Sequence, residues 1–441
     1  MRGLYRTIAM AAVLAGMGAA EAAAPPPLDC HIGLYRLTDG SDVDIGAGDG
    51  AHLRWRRKDG LTGELTRQAD GSWTSTYGWT GRPDGKRISF TPCADGGIRF
   101  GNMAGRRVAF DVTETRFRSG DAMLAGRLIL PKGSGRVPIV VLVHGSEHDS
   151  ARDFYALQRL FPSEGIGAFV YDKRGTGASG GDYTQDYLVL ADDAIAAKRE
   201  ALRLAGRRAG RIGYQAGSQG GWVAPLAARI EPVDFVIVGF GLAVSPLEED
   251  REAIAFDMTR QGFGPDVMAK AMQVADASAA ILESDFREGY DRLAELKRRY
   301  GNEPWFRYVR GDVTYALLSN TPAMLRDKGP QLFAGVPLHY DPMPVLDNLA
   351  VPQLWILGGD DMDAPSGETG QRLRRLQAAG KPITLAVFPR AGHGIYLSEP
   401  GLNGEQISTR QPQGYFGMMR DFILRGRIGG HYGDSAIHRR R

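Results

Sequence analysis

Two patterns of apolar and polar positions divide the chain. Up to about residue 120, short runs alternate in polarity, as in His52-Leu53-Arg54-Trp55-Arg56 and Arg87-Ile88-Ser89-Phe90. Turn signals separate them at Asp39-Gly40, Asp49-Gly50, Asp59-Gly60, Asp70-Gly71 and Asp84-Gly85. Alternation between Asp-Gly turns is the mark of successive hairpins, so residues 28–112 are predicted to form a small antiparallel β domain. Its aromatic residues Trp55, Trp73, Tyr77 and Trp79 are assigned to packing that domain's core.

From about residue 113 the pattern changes. Residues 113–117 and 123–130 read as an antiparallel pair. Residues 138–143, Pro-Ile-Val-Val-Leu-Val, are continuously apolar, which suits a strand buried on both faces of a parallel sheet. Further apolar runs follow at 167–171, 212–215, 235–238, 354–357 and 383–388. Helical patterns lie between them at 151–161, 183–204 and 367–379. This alternation predicts an α/β architecture, a mostly parallel sheet with helices on both faces. Between 240 and 349 no strand pattern is found. Ser245-Pro246-Leu247-Glu248 there is a capping box with proline at the first helical position. It opens an expected helical cap insertion at about 245–339.

The N-terminus differs from both. Arg2 and Arg6 flank its start, residues 8–18 are short and apolar, and Ala20-Glu21-Ala22 and Ala22-Ala23-Ala24 suit cleavage at small residues. Residues 1–24 are read as a secretory signal peptide, too short for a stable membrane span. No other stretch reaches spanning length, so an exported protein, periplasmic or secreted, is expected. In that oxidising compartment Cys30 and Cys93, the only two cysteines, are expected to pair. The bridge would close a loop of about sixty residues. A net charge of +3 gives no case for a nucleic-acid partner. The basic end, Arg439-Arg440-Arg441, reads as a solvated terminus. No cofactor is expected, because neither a zinc-type Cys/His cluster nor a dinucleotide fingerprint occurs.

The chemistry concentrates in residues 211–230. An apolar strand ends at Gln215, small residues surround Ser218, and an apolar helical segment begins at Trp222. A serine at the apex of strand, tight turn and helix has the layout of a nucleophile elbow. Ala216, Gly217, Gly220 and Gly221 leave room for so sharp a turn. A serine also needs a base held by a third group. Of the eight histidines, His393 in Arg390-Ala391-Gly392-His393-Gly394 follows the last apolar strand. Loops at the carboxyl ends of parallel strands converge on one edge, which puts His393 and Ser218 together. His144 is a rival base, better suited to orienting backbone, and His148 lies near the same place. The acid candidates are Asp360, Asp361 and Asp363, with Asp361 favoured. The chain order Ser218, Asp361, His393 is that of the α/β-hydrolase triad. The oxyanion donors are expected at the N–H groups of Gln219 and Ser146.

These pieces together resemble an α/β-hydrolase of the dienelactone-hydrolase and prolyl-oligopeptidase type. The matching segments are His144-Gly145-Ser146, Tyr171-Asp172-Lys173-Arg174-Gly175-Thr176-Gly177-Ala178-Ser179, the elbow at Ser218, residues 358–365 and Ala391-Gly392-His393-Gly394. The resemblance implies an α/β-hydrolase domain over 113–430, carrying the cap and preceded by the β domain. It implies an acyl-serine mechanism on an ester, thioester or peptide. It also implies that residues 172–179 brace the site from below. A phosphate-binding role is disfavoured there, since the G-x-x-x-x-G-K-[ST] spacing is missing. Two departures stand out: Ala216 replaces the first elbow glycine, and Glu147 stands where such loops often carry glycine. The expected activity is hydrolysis of a small-molecule carboxylic ester. The alternatives are a serine peptidase acting on short peptides and a non-catalytic binding protein on the same scaffold. Glu147, Glu248 and Glu249 are candidate readers of a free amine. Glu248 is already explained by the capping box and Glu249 by the helix dipole.

Overall fold

A computed structural model describes residues 28–402 and 405–438. The expected signal peptide and the Arg439-Arg440-Arg441 end lie outside the described residues. Among the described residues no helix is long and apolar enough to cross a membrane.

The alternating segment closes into an eight-stranded antiparallel barrel. Its strands are β1 (Gly33–Leu37), β2 (Asp42–Ala47), β3 (Leu53–Arg56), β4 (Thr62–Arg67), β5 (Trp73–Thr76), β6 (Pro83–Phe90), β7 (Gly97–Phe100) and β8 (Met103–Arg107). Each pairs with the next, and β8 returns to β1. Alternate residues point inward, and Tyr35, Val43, Ile45, Trp55, Leu65, Trp73 and Phe100 fill the interior, as eight strands require. Trp55 satisfies its indole N–H on Ser75 Oγ at 2.7 Å. Cys30 and Cys93 are bonded to each other. Trp79 corrects the sequence-based expectation. It leaves the barrel core and packs edge-on against Tyr396, with ring centroids 4.9 Å apart. It sits in the loop after β5, where the inward alternation no longer applies.

A second sheet begins at Phe110. Its strands are β9 (Phe110–Ser119), β10 (Ala122–Pro131), β11 (Val137–Val143), β12 (Gly167–Tyr171), β13 (Ala209–Gly217), β14 (Phe235–Gly239), β15 (Gln353–Gly358) and β16 (Ile383–Phe388). The hairpin β17 (Leu397–Pro400) and β18 (Gln406–Arg410) stands apart, and β19 (Ala436–His438) joins the sheet edge. The nine strands run in the order β19-β16-β15-β14-β13-β11-β12-β10-β9. The strands β11 to β16 pair in parallel. Every residue of β12, β14 and β15 is buried, which is why their sequences read as unbroken apolar runs.

Helices cover both faces. On one lie α1 (Ala151–Phe154), α2 (Leu157–Leu160) and α12 (Tyr415–Arg425). On the other lie α3 (Tyr187–Ala205), α4 (Gly220–Ile230) and α11 (Ser366–Ala378). The cap consists of α5 (Pro246–Arg260), α6 (Pro265–Glu283), α7 (Tyr290–Tyr300), α8 (Asp312–Ser319) and α9 (Pro322–Leu332), packed around its own apolar core. The short α10 (Met343–Asp347) leads back to the sheet. Ser245 and Glu248 form the expected capping box.

Two local expectations change, and three strands come unannounced. The helix expected over 151–161 breaks at Tyr155, whose backbone is extended (φ −76°, ψ 105°) and whose hydroxyl bonds Glu147. The helix expected from 183 starts at Tyr187, because Asp186 caps it by accepting from Leu188 and Val189 N–H at 2.9 and 3.1 Å. The short, largely polar β17, β18 and β19 carry no periodicity long enough to read.

The barrel is fastened to the sheet domain by charge. Arg159 on α2 grips Asp44 on β2 with two bonds of 2.5 and 3.0 Å, and both residues are buried. Lys58 bonds Asp42 at 2.6 Å and also pairs with Glu164. Removing one partner of a buried pair strands the other charge. Arg159→Ala is therefore expected to destabilise the protein by about 3–5 kcal/mol, and Arg159→Met with Asp44→Leu by much less. Urea unfolding of the three proteins checks this. Equal losses in the single and double variants would contradict it.

Candidate active site

The site begins with a backbone conformation. β13 ends at Gly217, α4 begins at Gly220, and Ser218 lies between them at φ 51°. A left-handed non-glycine residue costs about 1–3 kcal/mol and persists only where its surroundings dictate it. Here Ser218 N–H donates to Gly239 O at 3.2 Å, and Ser218 O accepts from Gly221 N–H at 2.7 Å. The small neighbours are obligatory. A Cβ at Gly220 would stand 2.7 Å from His144 O, and one at Gly221 would stand 2.9 Å from the Gly241 Cα. Ala216 faces the core and is wholly buried. Its methyl group lies beside Gly220, where a Cβ would stand 3.1 Å from it, so the alanine is accommodated because Gly220 carries no side chain.

His393 and Asp361 come to the same edge. His393 Nε2 lies 3.2 Å from Ser218 Oγ. Its Nδ1 lies 3.2 Å from each oxygen of Asp361. Asp361 is buried and also accepts from the N–H groups of Asp363 and Ala364 at 3.1 and 2.9 Å. Phe240 meets the imidazole edge-on at 4.9 Å. A proton on Nδ1 bonded to the carboxylate leaves Nε2 free to accept from the serine hydroxyl. Asp360 turns outward to Arg260 on the cap at 2.5 Å. Asp361 contacts the imidazole with both carboxylate oxygens.

The 144–148 loop is fixed by residues that sequence spacing does not connect with it. Lys173 Nζ donates to Gly145 O at 2.8 Å, and Tyr183 Oη donates to Ser146 O at 2.7 Å. No described peptide bond is cis. In a trans peptide, C=O and N–H point in opposite directions. Anchoring Gly145 O on Lys173 therefore sends the Ser146 N–H to the far side. Gln219, just before α4, presents one of the unpaired N–H groups of a helix start. Glu147 is fully engaged. It accepts from Tyr155 Oη and from Gly145 N–H, and it lies 3.3 Å from His144 Nδ1. Burial raises its pKa, but His144, Lys173 and Tyr155 outweigh that and hold the carboxyl well below the usual range. Burial pulls Lys173 down to about 8 against the pull of Glu147. His148 stacks on Tyr183 at 3.8 Å. In the 172–179 segment Asp172 accepts from Ser150, Arg152 and Ala178, and Arg174 pairs with Asp193. Its charges are thus spent on internal bonds.

The cap adds carboxyl groups that the sequence does not foretell. Glu249 on α5 and Asp312 at the start of α8 interact with each other and with Asp361 and Asp363. Burial, then mutual repulsion, raises both groups well above the ordinary carboxyl range. His393 feels the same cluster. Burial lowers its pKa, but Asp361, Asp363 and Asp312 outweigh that and lift it to about 9. Sequence spacing offers no signal, since only the folded cap brings residues 249 and 312 to the sheet edge. NMR titration of the imidazole should find a midpoint near 9, displaced to lower pH in Asp361→Asn. An unchanged midpoint in that variant would refute the pairing.

The sequence model of a family described as "Alpha/beta hydrolase family" matches residues 140–402. No curated protein matches the chain. Among solved structures it is similar to an acylaminoacyl peptidase of Pyrococcus horikoshii, with 17% identity over 90% of this chain and 58% of that one, and a TM-score of 0.45. The chain thus spans less than two thirds of that peptidase. It is similar also to an esterase of Pyrococcus furiosus, with 17% identity over 65% of this chain and 83% of that one, at a TM-score of 0.42. A proline iminopeptidase of Mycobacterium smegmatis gives 18% identity over 64% of this chain and 91% of that one, at a TM-score of 0.40.

Proposed function

We propose, for a chain that belongs to the alpha/beta hydrolase family, that it is an exported serine hydrolase cleaving a carboxylic ester through an acyl-serine intermediate. The observation that carries this reading is the contact chain Ser218 Oγ to His393 Nε2 to Asp361, each step at 3.2 Å, on a left-handed elbow. Neutral His393 takes the hydroxyl proton as Ser218 Oγ bonds the acyl carbon. Asp361 holds Nδ1–H and offsets the charge that forms on the ring. The Gln219 and Ser146 N–H groups receive the oxyanion. His393 then passes its proton to the leaving alkoxide, which departs as an alcohol. Water repeats the sequence on the acyl-serine, releasing the acid and restoring the hydroxyl. The base must be neutral to act, so kcat/KM is expected to climb with pH and level off above about 9.

Export is supported by the leader-like residues 1–24 and by the Cys30–Cys93 bond. The β domain, expected over 28–112, closes with β8 at Arg107, and the hydrolase domain, expected over 113–430, takes in β9 from Phe110 and β19 to His438, with the cap shaping one side of the acyl pocket.

One observation favours a second reading, a peptidase of short peptides. Asp312 interacts with His393, Asp361 and Asp363, and Glu249 interacts with the same acids; a protonated amine bound among them would draw these raised carboxyls to their charged forms. Glu147 is committed to His144 and Tyr155, so it no longer supports that reading.

Ser218→Ala and His393→Ala should each lower kcat on an activated ester by on the order of 10⁴ or more. Asp361→Asn should lose roughly 10⁴. Wild-type turnover in Ser218→Ala would move the site elsewhere. Comparing kcat/KM for short acyl esters and for aminoacyl amides separates the two substrate readings. Amides win only under the second reading, and Glu249→Gln should then erase their advantage.

A further inference from the structure

The barrel meets the rest of the molecule beside His393. The turn carrying this histidine closes by a bond of 2.8 Å from Gly392 N–H to Tyr396 O. It then passes through two consecutive left-handed residues, Gly394 at φ 70° and Ile395 at φ 54°. For a β-branched residue that conformation is strained, so its surroundings must enforce it. From the sheet side, Ile395 is wholly buried. Further constraints lead to the barrel.

Two contacts reach from barrel turns to this segment. At the first, Gln411 N–H donates to Gly60 O at 3.0 Å, and the Gln411 side-chain amide donates to Gly394 O at 3.2 Å. One residue thus ties the β3–β4 turn to the peptide following His393. At the second, Trp79 donates its backbone N–H to Ser408 O at 2.9 Å and presses its ring against Tyr396, with centroids 4.9 Å apart. Arg54 on β3 stacks its guanidinium 3.9 Å over the same indole. Glycine permits both approaches, because a Cβ at Gly60 or Gly78 would collide with the backbone of Gln411 or Thr409. The buried Arg159–Asp44 pair prevents the barrel from sliding away.

We propose that the barrel is part of the active-site scaffold, and that Trp79 and Gln411 are positioning residues holding the His393 turn in register with Ser218. This rests on the reading of His393 as the general base. The imidazole sits 3.2 Å from its partners on both sides, so a small drift of the turn weakens both contacts together. A displacement of about 1 Å costs roughly a hundredfold in rate. Loosening the ring from Asp361 also removes a contribution that raises its pKa.

The test uses the full-length protein and p-nitrophenyl acetate. Trp79→Ala should lower kcat roughly tenfold to a hundredfold while KM stays within about twofold. The acid limb of its kcat/KM profile should move to lower pH. Trp79→Phe, which keeps a ring against Tyr396, should recover most of both. Gln411→Ala keeps the backbone bond to Gly60 and should show the same kind of loss, which covers the case in which Trp79→Ala does not fold. Wild-type kcat and pH profile in folded Trp79→Ala, or in Gln411→Ala, would overturn the proposal. So would a raised KM at unchanged kcat, which would make the barrel a wall of the substrate pocket. Ser218→Ala is assayed alongside. If it is inactive while Trp79→Ala behaves as wild type, positioning alone fails. If it retains turnover, the functional reading itself fails.

Discussion

The left-handed backbone at Ser218 is the constraint on which the rest depends. A serine at φ 51° is unfavourable by itself and exists because β13 delivers the chain into a space without room for another path. The bond to Gly239 on β14 fixes its position relative to the neighbouring strand. The glycines around it are set by collisions with His144, Phe240 and Gly241. Two of those residues also shape the site directly. Phe240 abuts His393, and His144 opens the loop that contains Ser146. The elbow and its surroundings therefore constrain each other. That mutual fit holds the strained residue in place.

Electrostatics supplies the second layer. Burial alone would depress the pKa of His393, yet three carboxyls lift it to about 9. One of them, Asp312, belongs to the cap. The cap thus contributes to the charge of the imidazole. It is fastened to the sheet domain by Arg260 to Asp360 and by Arg372 to Glu248. Both pairs join cap residues to the segments around Asp361 and α11.

Much of this is legible in the sequence, and the limits have physical causes. The parallel strands announce themselves because strands buried on both faces admit few polar residues. The elbow and His393 are legible because a tight turn demands small neighbours. Asp361 is separable from Asp360 and Asp363 in sequence only by position, and the structure sets the Asp361 carboxylate on His393 and the Asp360 carboxylate on Arg260. Sequence alone assigns Glu249 to its own helix dipole, while the fold sets it beside Asp312, which lies 63 positions later. Trp79 resembles barrel core because it lies among core tryptophans, yet one turn places it outside. Lys173 and Tyr183 brace the 144–148 loop from segments that nothing in a single sequence joins to it. Periodicity reports which face of an element is buried, and it does not report which distant element covers that face.

The barrel illustrates the same point. A closed sheet with its own core and its own disulfide has the makings of an independent module. Its turns nevertheless meet the polypeptide that carries the proposed base, and a buried ion pair fixes it there. All of this converges on one atom, the hydroxyl oxygen of Ser218. The most direct test is to treat the native protein with a fluorophosphonate and map the adduct by peptide mass spectrometry. A single adduct on Ser218 is expected, its formation strongly slowed when His393 is replaced by alanine. No adduct, or one on another residue with Ser218 unmodified, would contradict it.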